Sequence, residues 1–422
     1  MKNRGEKMSD IKIIALGGVR ENAKNMYVVE VDDNIYILDC GLKYPENELL
    51  GIDTVIPDFE YLRQNARRIV GVFLTHGHAD AIGALPYFVS EFDVPVFGSE
   101  LTIELAKIAC ANEDAAKDFD DFHIVDEKTE IDFESATVSF FKTTHSVPES
   151  FGIVVKTRKG NIVYTGDFKF DLTPVGTNAD YQKMAFIGVT QPDLLMSDST
   201  NSGVEDFSIS ERKVANEIQD IMRKTKQRLI VATFASNVHR VAQIIEAATK
   251  FGRKVIVFGR SMENVVDIGR KMGTIKVKNS DFLSPEELAH TPDDKVCIIC
   301  TGSQGEPLAA LSRIANGTHR FIHLKPGDTI VFSSNPIPGN QSSVNRVIDN
   351  LFRSGATVLT KSILNNLHTT GHASKEEQKL MLQLVRPTYF MPIHGEYKML
   401  MQHRQTAMET GIPKENIFVC AN

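Results

Sequence analysis

Short apolar runs separated by polar turns dominate the first half of the chain. Runs at 11–16, 26–31 and 35–39 predict strands, and the Asp32-Asp33-Asn34 turn between the last two is typical of a β-hairpin. Further strands are predicted at 69–74, 94–98, 137–143, 152–157 and 161–165, with helices at 59–68, 82–92 and 100–110. This mixture of hairpins and strand–helix units predicts a layered α/β or α+β sandwich.

From about residue 208 the pattern becomes a regular alternation of strand and helix. Strands are predicted at 228–233, 254–258, 295–301, 329–333 and 357–359, and helices at 238–251, 262–272 and 308–315. Such alternation predicts a parallel, doubly wound sheet. After residue 376 a helix, a Pro-Ile-His-Gly turn and a second helix follow. We therefore predict three segments, 1–207, 208–368 and 369–422.

Length and composition narrow the class of protein. A chain of 422 residues with 42% hydrophobic and 24% charged residues is typical of a globular protein of more than one domain. No run approaches the roughly 20 apolar residues that cross a bilayer. The first ten residues are polar, without the apolar core of a signal peptide. We expect no membrane association and a cytoplasmic location.

The cysteine pattern argues against a cysteine metal site, and the net charge argues against unspecific binding of polyanions. Cys297 and Cys300 form a C-x-x-C pattern inside a predicted strand, where residues three apart face opposite sides, so we predict buried thiols and not a metal site. The net charge of −7 argues against a protein that coats polyanions unspecifically. A nucleic-acid enzyme with a local basic groove remains compatible with that charge.

The chemistry is concentrated in the loop His76-Gly77-His78-Ala79-Asp80-Ala81, directly after an apolar run. Two imidazoles and a carboxylate on one tight turn are typical ligands of zinc or manganese. Three further loops stand at predicted strand ends and contain His145, Asp167 and His394. Each alone is compatible with an ordinary turn, but the ordered set predicts a metal centre. A pair of divalent ions activates water and stabilises the oxygens of a phosphodiester.

Other polar loops are candidate contacts for substrate. The segment 368–374 contains His368, Thr369, Thr370, Gly371 and His372, and its backbone amides can form a phosphate-binding nest before a helix. An ordinary helix start explains it equally well.

Ser236 and Ser333 lie in loops after strands of the middle segment, where turn chemistry is the simpler explanation for each loop taken singly. Arg240 and Arg260 are either phosphate contacts or surface arginines.

The combined motifs resemble those of the β-CASP nucleases, a metallo-β-lactamase branch, and more narrowly the ribonuclease J family. The resemblance is carried by the strings at 16–22, 51–58, 165–170, 198–201, 337–340, 370–374 and 392–396. It implies a metallo-β-lactamase αββα sandwich, 1–207 and 369–422, with an inserted β-CASP domain of doubly wound parallel sheet, 208–368. It also implies a C-terminal oligomerisation domain, which we expect to be absent after Asn422.

The resemblance implies a metal-dependent ribonuclease of RNA maturation and decay that degrades 5′-monophosphorylated RNA from the 5′ end and also cuts internally. The implied metal ligands, for Zn²⁺ or Mn²⁺, are His76, His78, Asp80, His145, Asp167 and His394. Asp80, Asp167, Asp198 and His372 are the implied catalytic residues. The segment 368–372 would hold the substrate phosphate.

Three departures from the family pattern affect the expected activity. Ala81 replaces a metal-ligand histidine, Val19-Arg20-Glu21-Asn22 replaces a usually smaller loop, and Gln341 stands where an acid is usual. They are similar to the second, less active paralogue of ribonuclease J, which pairs with a more active one. We expect an intact first metal site, a weakened second site and low activity.

Two alternatives follow from the same residues. Loss of one ligand also suits a weakly active or inactive RNA-binding partner of an active paralogue, in a homo- or hetero-oligomer. A small-molecule hydrolase on the same metal scaffold is the third hypothesis, against which the inserted domain counts.

Overall fold

The computed structural model describes residues 11–45, 51–306, 308–335, 340–361 and 367–421. The chain folds as two compact units. The first unit comprises residues 1–170, 177–208 and 371–422, and the second comprises 171–176 and 209–370. Residues 171–176 belong to the second unit although the predicted boundary lies at 207/208. The string at 337–339 and the N-terminal segment 1–10 lie outside the described residues.

Two six-stranded sheets form the centre of the first unit. The first sheet has the order β1 to β6: Ile11–Gly17, Met26–Val31, Asn34–Leu38, Ile69–Phe73, Val96–Gly98 and Phe122–Ile124. The second contains β7 to β11, Glu130–Asp132, Ala136–Lys142, Phe151–Thr157, Asn161–Tyr164 and Leu194–Asp198, and β17, Tyr389–Ile393. Its order is β17-β11-β10-β9-β8-β7. The strand β17 contains Pro392 and lies at the sheet edge, where the missing amide hydrogen is tolerated.

Helices cover the outer face of each sheet. The helices are α1 to α5, Glu60–Gln64, Ala79–Ile82, Leu85–Val89, Glu100–Ala111 and Tyr181–Val189, with α12, Lys375–Val385, and α13, Tyr397–Glu409. One buried cluster joins the inner faces of both sheets, and two others join a sheet to its helices. Apolar residues on both faces of each sheet are what such layering requires. The predicted αββα sandwich is confirmed.

Two local predictions in this unit have clear outcomes. The hairpin is confirmed, since β2 and β3 pair antiparallel around Asp32, whose φ of 54° suits a tight turn. The single helix predicted at 82–92 is wrong. It is divided into α2 and α3, and Pro86 lies in the first turn of α3, the one part of a helix that accepts proline readily.

The second unit contains the predicted doubly wound sheet. Its strands are β12 to β16, Leu229–Ala232, Lys254–Phe258, Val296–Cys300, Thr329–Phe332 and Thr357–Leu359, all parallel in the order β13-β14-β12-β15-β16. Its helices are α6 to α11: Glu211–Lys224, Val238–Lys250, Arg260–Lys271, Pro285–Leu288, Ala310–Ala315 and Gln341–Arg353. Separate buried clusters cover the two sheet faces, as a doubly wound fold requires.

The C-x-x-C cysteines have the predicted environment. Cys297 packs in the cluster on one face of the sheet and Cys300 in the cluster on the other. Both thiols are free, and burial raises the pKa of each to about 12. Neutral thiols on opposite faces do not share a metal ion. In the described part of the chain, no helix is long and apolar enough to cross a bilayer.

Arg240 is buried, so both predictions made for it, a surface arginine or a phosphate contact, are wrong. The side chain is fully buried and its Nη2 lies 2.6 Å from Oε2 of Glu211. Its Nη1 donates to the hydroxyl of Ser333 at 2.6 Å and to the carbonyl of Leu367 at 3.2 Å. The guanidinium therefore joins α6 to the end of β15 and to the segment that leaves the unit.

We predict that Arg240→Met lowers the free energy of unfolding by about 3–5 kcal/mol, because it leaves the buried Glu211 carboxylate without its cation. The double variant Arg240→Met with Glu211→Gln removes the charge and should lose less. Urea unfolding followed by circular dichroism measures both. An unchanged unfolding midpoint in the single variant would contradict this account.

Candidate metal centre

The His-x-His-x-Asp loop follows the C-terminal end of β4, a buried internal strand of the first sheet. His78 is the N-cap residue of the short helix α2, which contains Asp80 and Ala81. The turn depends on close packing, since a Cβ on Gly77 would lie 2.4 Å from Cδ1 of Leu105 and one on Gly41 would lie 1.6 Å from the carbonyl oxygen of Asp80. Glycine at both positions lets the loop fold against its neighbours.

Four side chains of this unit offer ligand atoms that all lie within 4.8 Å of one another: His76, His78, His145 and Asp167. Nε2 of His76 lies 3.5 Å from Oδ2 of Asp167, and both atoms are buried without a hydrogen-bond partner. Buried polar atoms are normally paired, so two facing lone-pair donors fit a cation bound between them. The donor set of three imidazoles and a carboxylate fits a divalent zinc or manganese ion.

Hydrogen bonds fix which nitrogen of His76 and of His145 faces the group. The Thr75 hydroxyl donates to Oδ2 of Asp39 at 2.8 Å and therefore accepts from Nδ1 of His76 at 2.9 Å. Nδ1 of His145 donates to the carbonyl of Gly371 at 2.7 Å. In both rings Nε2 is therefore the nitrogen without a proton; that of His76 has no hydrogen-bond partner, and that of His145 lies 3.0 Å from Nδ1 of His78. Partners of this kind orient metal-binding histidines and raise their basicity.

The sequence predicts that Gly371 contributes its backbone amide to a phosphate-binding nest, but its contacts in the structure are different. It is not among the residues with positive φ, and its carbonyl, not its amide, contacts the site. A Cβ at this position would lie 2.6 Å from Cε1 of His145. Glycine here lets the backbone approach the His145 ring.

Electrostatics favour neutral imidazoles at this centre. Burial lowers the pKa of His76 to about 3 and that of His78 to about 4, and it holds the pKa of His145 well below its usual value. A metal ion binds the deprotonated ring, so these histidines need to lose no proton at neutral pH. Burial, followed by the nearby Asp80 carboxylate, raises the pKa of Asp167 well above its usual value. A cation would reverse that effect on Asp167.

A second group shares Asp167 with the first and adds Asp198, His372 and His394, again with ligand atoms within 4.8 Å. Oδ1 of Asp167 lies 3.7 Å from Nδ1 of His394, on the side away from His76. Asp80 lies beside both groups, with Oδ2 at 3.7 Å from Nε2 of His394 and Oδ1 at 3.8 Å from Nε2 of His76. The structure thus brings together every residue that the sequence predicted for the metal centre.

Asp198 and His372 form a direct pair within the second group. Nδ1 of His372 donates to Oδ2 of Asp198 at 2.8 Å. Burial alone would lower the pKa of His372, but the carboxylates of Asp198 and Asp167 outweigh it and raise the pKa to about 9. Burial opposes ionisation of Asp198, yet His372 lowers the pKa of its carboxyl to about 2. The pair is an ionised hydrogen bond at neutral pH.

Ala81, where the sequence resemblance implies a ligand histidine, packs in the apolar cluster beneath the loop. Its side chain is fully buried with Cys40, Leu42 and Ile82. Its carbonyl accepts from the amide of Cys40 at 2.7 Å. The methyl group supplies packing where an imidazole would supply a ligand.

The loop from Gly18 to Asn25 lies against the other side of His394. Oδ1 of Asn25 accepts from Nδ1 of His394 at 2.8 Å, and the amide of Asn25 donates to the carbonyl of Asp80 at 3.0 Å. Arg20, Ala23 and Lys24 have φ values of 61°, 70° and 56°, and His394 has 50°. Left-handed backbone at non-glycine residues is strained and concentrates at functional sites. The loop therefore orients the His394 ring through Asn25.

Several residues that orient the histidines of the metal centre were not predicted from the sequence. Asp39, Thr75 and Asn25 bear no motif of their own, and their partners lie far away in the chain or on another strand. The apolar strand before Asp39 is the only local signal that could have drawn attention to it.

The predicted substrate residues Ser236, Ser333, His368, Thr369 and Thr370 belong to the second unit. The hydroxyl of Ser333 is buried, bonded to Arg240, and donates to the carbonyl of Leu367 at 2.9 Å. Thr369 donates to the carbonyl of Ile209. Their contact with substrate stays a prediction.

Known families match both units. Residues 19–197 match the metallo-β-lactamase superfamily, 226–351 the ribonuclease J β-CASP domain, and 356–420 the zinc-dependent metallo-hydrolase RNA specificity domain. The chain is 47% identical over 422 residues to ribonuclease J 1 of Streptococcus pyogenes serotype M3, covering all of this chain and 75% of the relative. The chain belongs to the ribonuclease J family. The family predicted from the sequence is confirmed.

Two further similarities qualify this assignment. Ribonuclease J 2 of the same organism is 44% identical over 414 residues, covering 98% of this chain and 74% of the relative, so identity alone does not separate the two paralogues. A crystal structure of a protein of unknown function from Enterococcus faecalis V583 has a TM-score of 0.69 at 16% identity, covering 93% of this chain and 95% of that one. That likeness supports the fold alone.

We predict that Thr75→Val weakens binding of the first ion about 10–100-fold, because it removes the acceptor that orients His76 while keeping the side-chain shape. Thr75→Ser retains the hydroxyl and should bind nearly as the unmodified chain does. Isothermal titration of the metal-free protein with Zn²⁺ measures both affinities. Equal affinities for the valine and serine variants would exclude this role.

Proposed function

We propose that the chain is a metal-dependent ribonuclease that degrades RNA with a 5′-monophosphate in the 5′-to-3′ direction and also cuts internally, at low activity. The observation that carries the proposal is the pair of ligand groups sharing Asp167, with the His372–Asp198 pair beside them. Membership of the ribonuclease J family and the matched RNA specificity domain support RNA as the substrate.

His76, His78, His145 and Asp167 would hold one Zn²⁺ or Mn²⁺ ion, and Asp80, Asp167 and His394 a second. Bound divalent ions supply Lewis acidity and positive charge at a phosphodiester. The fit rests on the facing unpartnered atoms of His76 and Asp167 and on the neutral imidazoles. Histidine and carboxylate ligands accept either metal.

His372 is proposed to donate a proton to the leaving oxygen. Against the effect of burial, the Asp198 carboxylate raises the pKa of this imidazole and so favours its protonated form, and it orients the ring through Nδ1. With Nδ1 bonded to Asp198, the proton for general acid catalysis would come from Nε2. The side chain of His372 is 22% exposed, whereas that of Asp198 is fully buried, so the histidine is the member of the pair that can reach substrate.

Substrate phosphate is proposed to contact the segment 368–372, with Ser236 and Ser333 near the RNA. The proposed setting is RNA processing and decay in the cytoplasm, beside a ribonuclease J paralogue in a homo- or hetero-oligomer. The presence of two paralogues in one related organism supports such pairing.

A second candidate function is favoured by Ala81 specifically. Without one imidazole, the proposed ligands of the second ion are Asp80, Asp167 and His394, beside the His372–Asp198 pair. A weakly held ion leaves a poor catalyst. In that case the chain binds RNA and an active paralogue and cuts little itself. The two functions predict different rates on the same RNA.

We expect the chain to shorten a 5′-monophosphorylated RNA in the presence of Mn²⁺ and to stop when EDTA removes the metal. His78→Ala should abolish the reaction, because it removes a ligand of the first ion. Denaturing gel electrophoresis of 5′- and 3′-labelled RNA resolves direction and internal cuts. If RNA stays intact at every metal concentration, the enzymatic proposal fails; if it still binds RNA, the partner function stands.

We expect Ala81→His to increase the rate at limiting Mn²⁺ by restoring a ligand to the second ion. Ala81→Leu is the matched control, since it fills the same buried space without a nitrogen donor. Comparing initial rates across a Mn²⁺ titration separates ligand restoration from repacking. A histidine variant no faster than the leucine variant would show that Ala81 does not limit activity.

A further inference from the structure

A basic segment follows helix α8 in the second unit. Residues 275–278 read Ile-Lys-Val-Lys. Ile275 is buried and Val277 packs against the same apolar cluster, while Lys276 and Lys278 are exposed. In extended backbone, residues two apart point to the same side and lie about 6.6 Å apart. The apolar pair therefore holds the segment down and turns both lysines to solvent.

These lysines line an open groove with a volume of about 790 Å³. Arg270 and Lys271 add two further cations, while Asp267 and Asp281 are the carboxylates of the lining. The groove thus has four basic side chains against two acidic ones, in a chain whose net charge is −7. A local excess of this sign attracts polyanions.

Stabilisation of the fold explains only some of the basic residues in the groove. Arg270 and Lys271 lie in the last turn of α8, where cations stabilise the helix dipole. Lys276 and Lys278 lie beyond the helix and gain nothing from that effect. Asp281 is partly engaged in the backbone, since its Oδ2 accepts from the amide of Lys278 at 2.9 Å.

The basic wall is also held in shape. The Arg270 guanidinium lies 5.1 Å from the centre of the Phe282 ring and donates to Oδ1 of Asn279. Stacking on an aromatic face fixes the planar guanidinium with its remaining N–H groups available for phosphate oxygens. An orientated arginine beside two exposed lysines suits successive phosphates along an extended strand.

We propose that this groove binds the sugar-phosphate backbone of single-stranded RNA, as a contact separate from the residues of the metal centre. The proposal rests on the proposed function for the identity of the polyanion. Lysine and arginine contacts to phosphate position a nucleic acid without reading its sequence, so the groove should increase affinity for RNA of any sequence.

The test uses the double variant Lys276→Gln with Lys278→Gln in the full chain. Fluorescence anisotropy with a labelled, unstructured RNA gives the dissociation constant at several salt concentrations, with Ca²⁺ replacing Mn²⁺ to slow cleavage. Loss of two phosphate contacts should reduce the slope of log affinity against log salt by about 1.4, since each contact to a single strand contributes about 0.7. We expect the double variant to bind RNA more weakly than the unmodified chain at low salt, and the difference in affinity to disappear as the salt concentration rises.

Lys224→Gln with Lys226→Gln is the matched control, because these exposed lysines have the same spacing in the same unit and lie outside the groove lining. Lys276→Arg with Lys278→Arg should retain the slope. Equal losses in the groove and control variants, or no change in the groove variant, would overturn the proposal and leave an acidic protein as the alternative occupant. Cleavage by the unmodified chain is measured in parallel, so failure of the nuclease function is seen separately.

Discussion

The buried carboxylate of Asp167 is the group on which the metal centre depends. It stands between two sets of histidines, with Oδ2 facing His76 and His145 and Oδ1 facing His394. Gly166 places it there, because its φ of 56° and its approach to Thr75 leave no room for a Cβ. Burial of this carboxylate beside Asp80 is unfavourable without a compensating cation, and the neutral imidazoles of His76, His78 and His145 do not provide one. The imidazolium of His372 lies 3.9 Å from Oδ2 of Asp167 but is hydrogen-bonded to Asp198, so a divalent ion would supply the positive charge that these carboxylates still need.

The departure at Ala81 affects one side of this arrangement. The structure brings the proposed ligands around His76 together with their supporting hydrogen bonds, whereas the proposal takes the side facing His394 to lack an imidazole. There the chain retains Asp80 and the oriented His394, together with the ionised His372–Asp198 pair. An attenuated enzyme follows more naturally from this distribution than a protein without catalytic chemistry, since the proton donor and the first ligand set are both in place.

The sequence predicted the principal ligands because each stands where an apolar strand gives way to a polar loop. It could not predict the roles of Asp39 and Asn25, because these depend on tertiary contacts. Asp39 bonds to Thr75, 36 positions away, and Asn25 bonds to His394, 369 positions away. Patterning also predicted both sheet arrangements, because strand periodicity and strand–helix alternation are local signals. It failed where one residue overrides periodicity, as Pro86 does in the first turn of α3, and where charge is buried, as at Arg240. A charged residue on a helix carries no local sign of its burial.

The most direct test of this account is the stepwise affinity of the unmodified, metal-free chain for Mn²⁺, measured by isothermal titration with native mass spectrometry to count bound ions. The account predicts one ion bound tightly and a second at least about tenfold more weakly, since a missing inner ligand should cost no less than a lost supporting contact. Two ions of equal affinity would contradict the proposed effect of Ala81. No bound ion at all would contradict the metal centre itself.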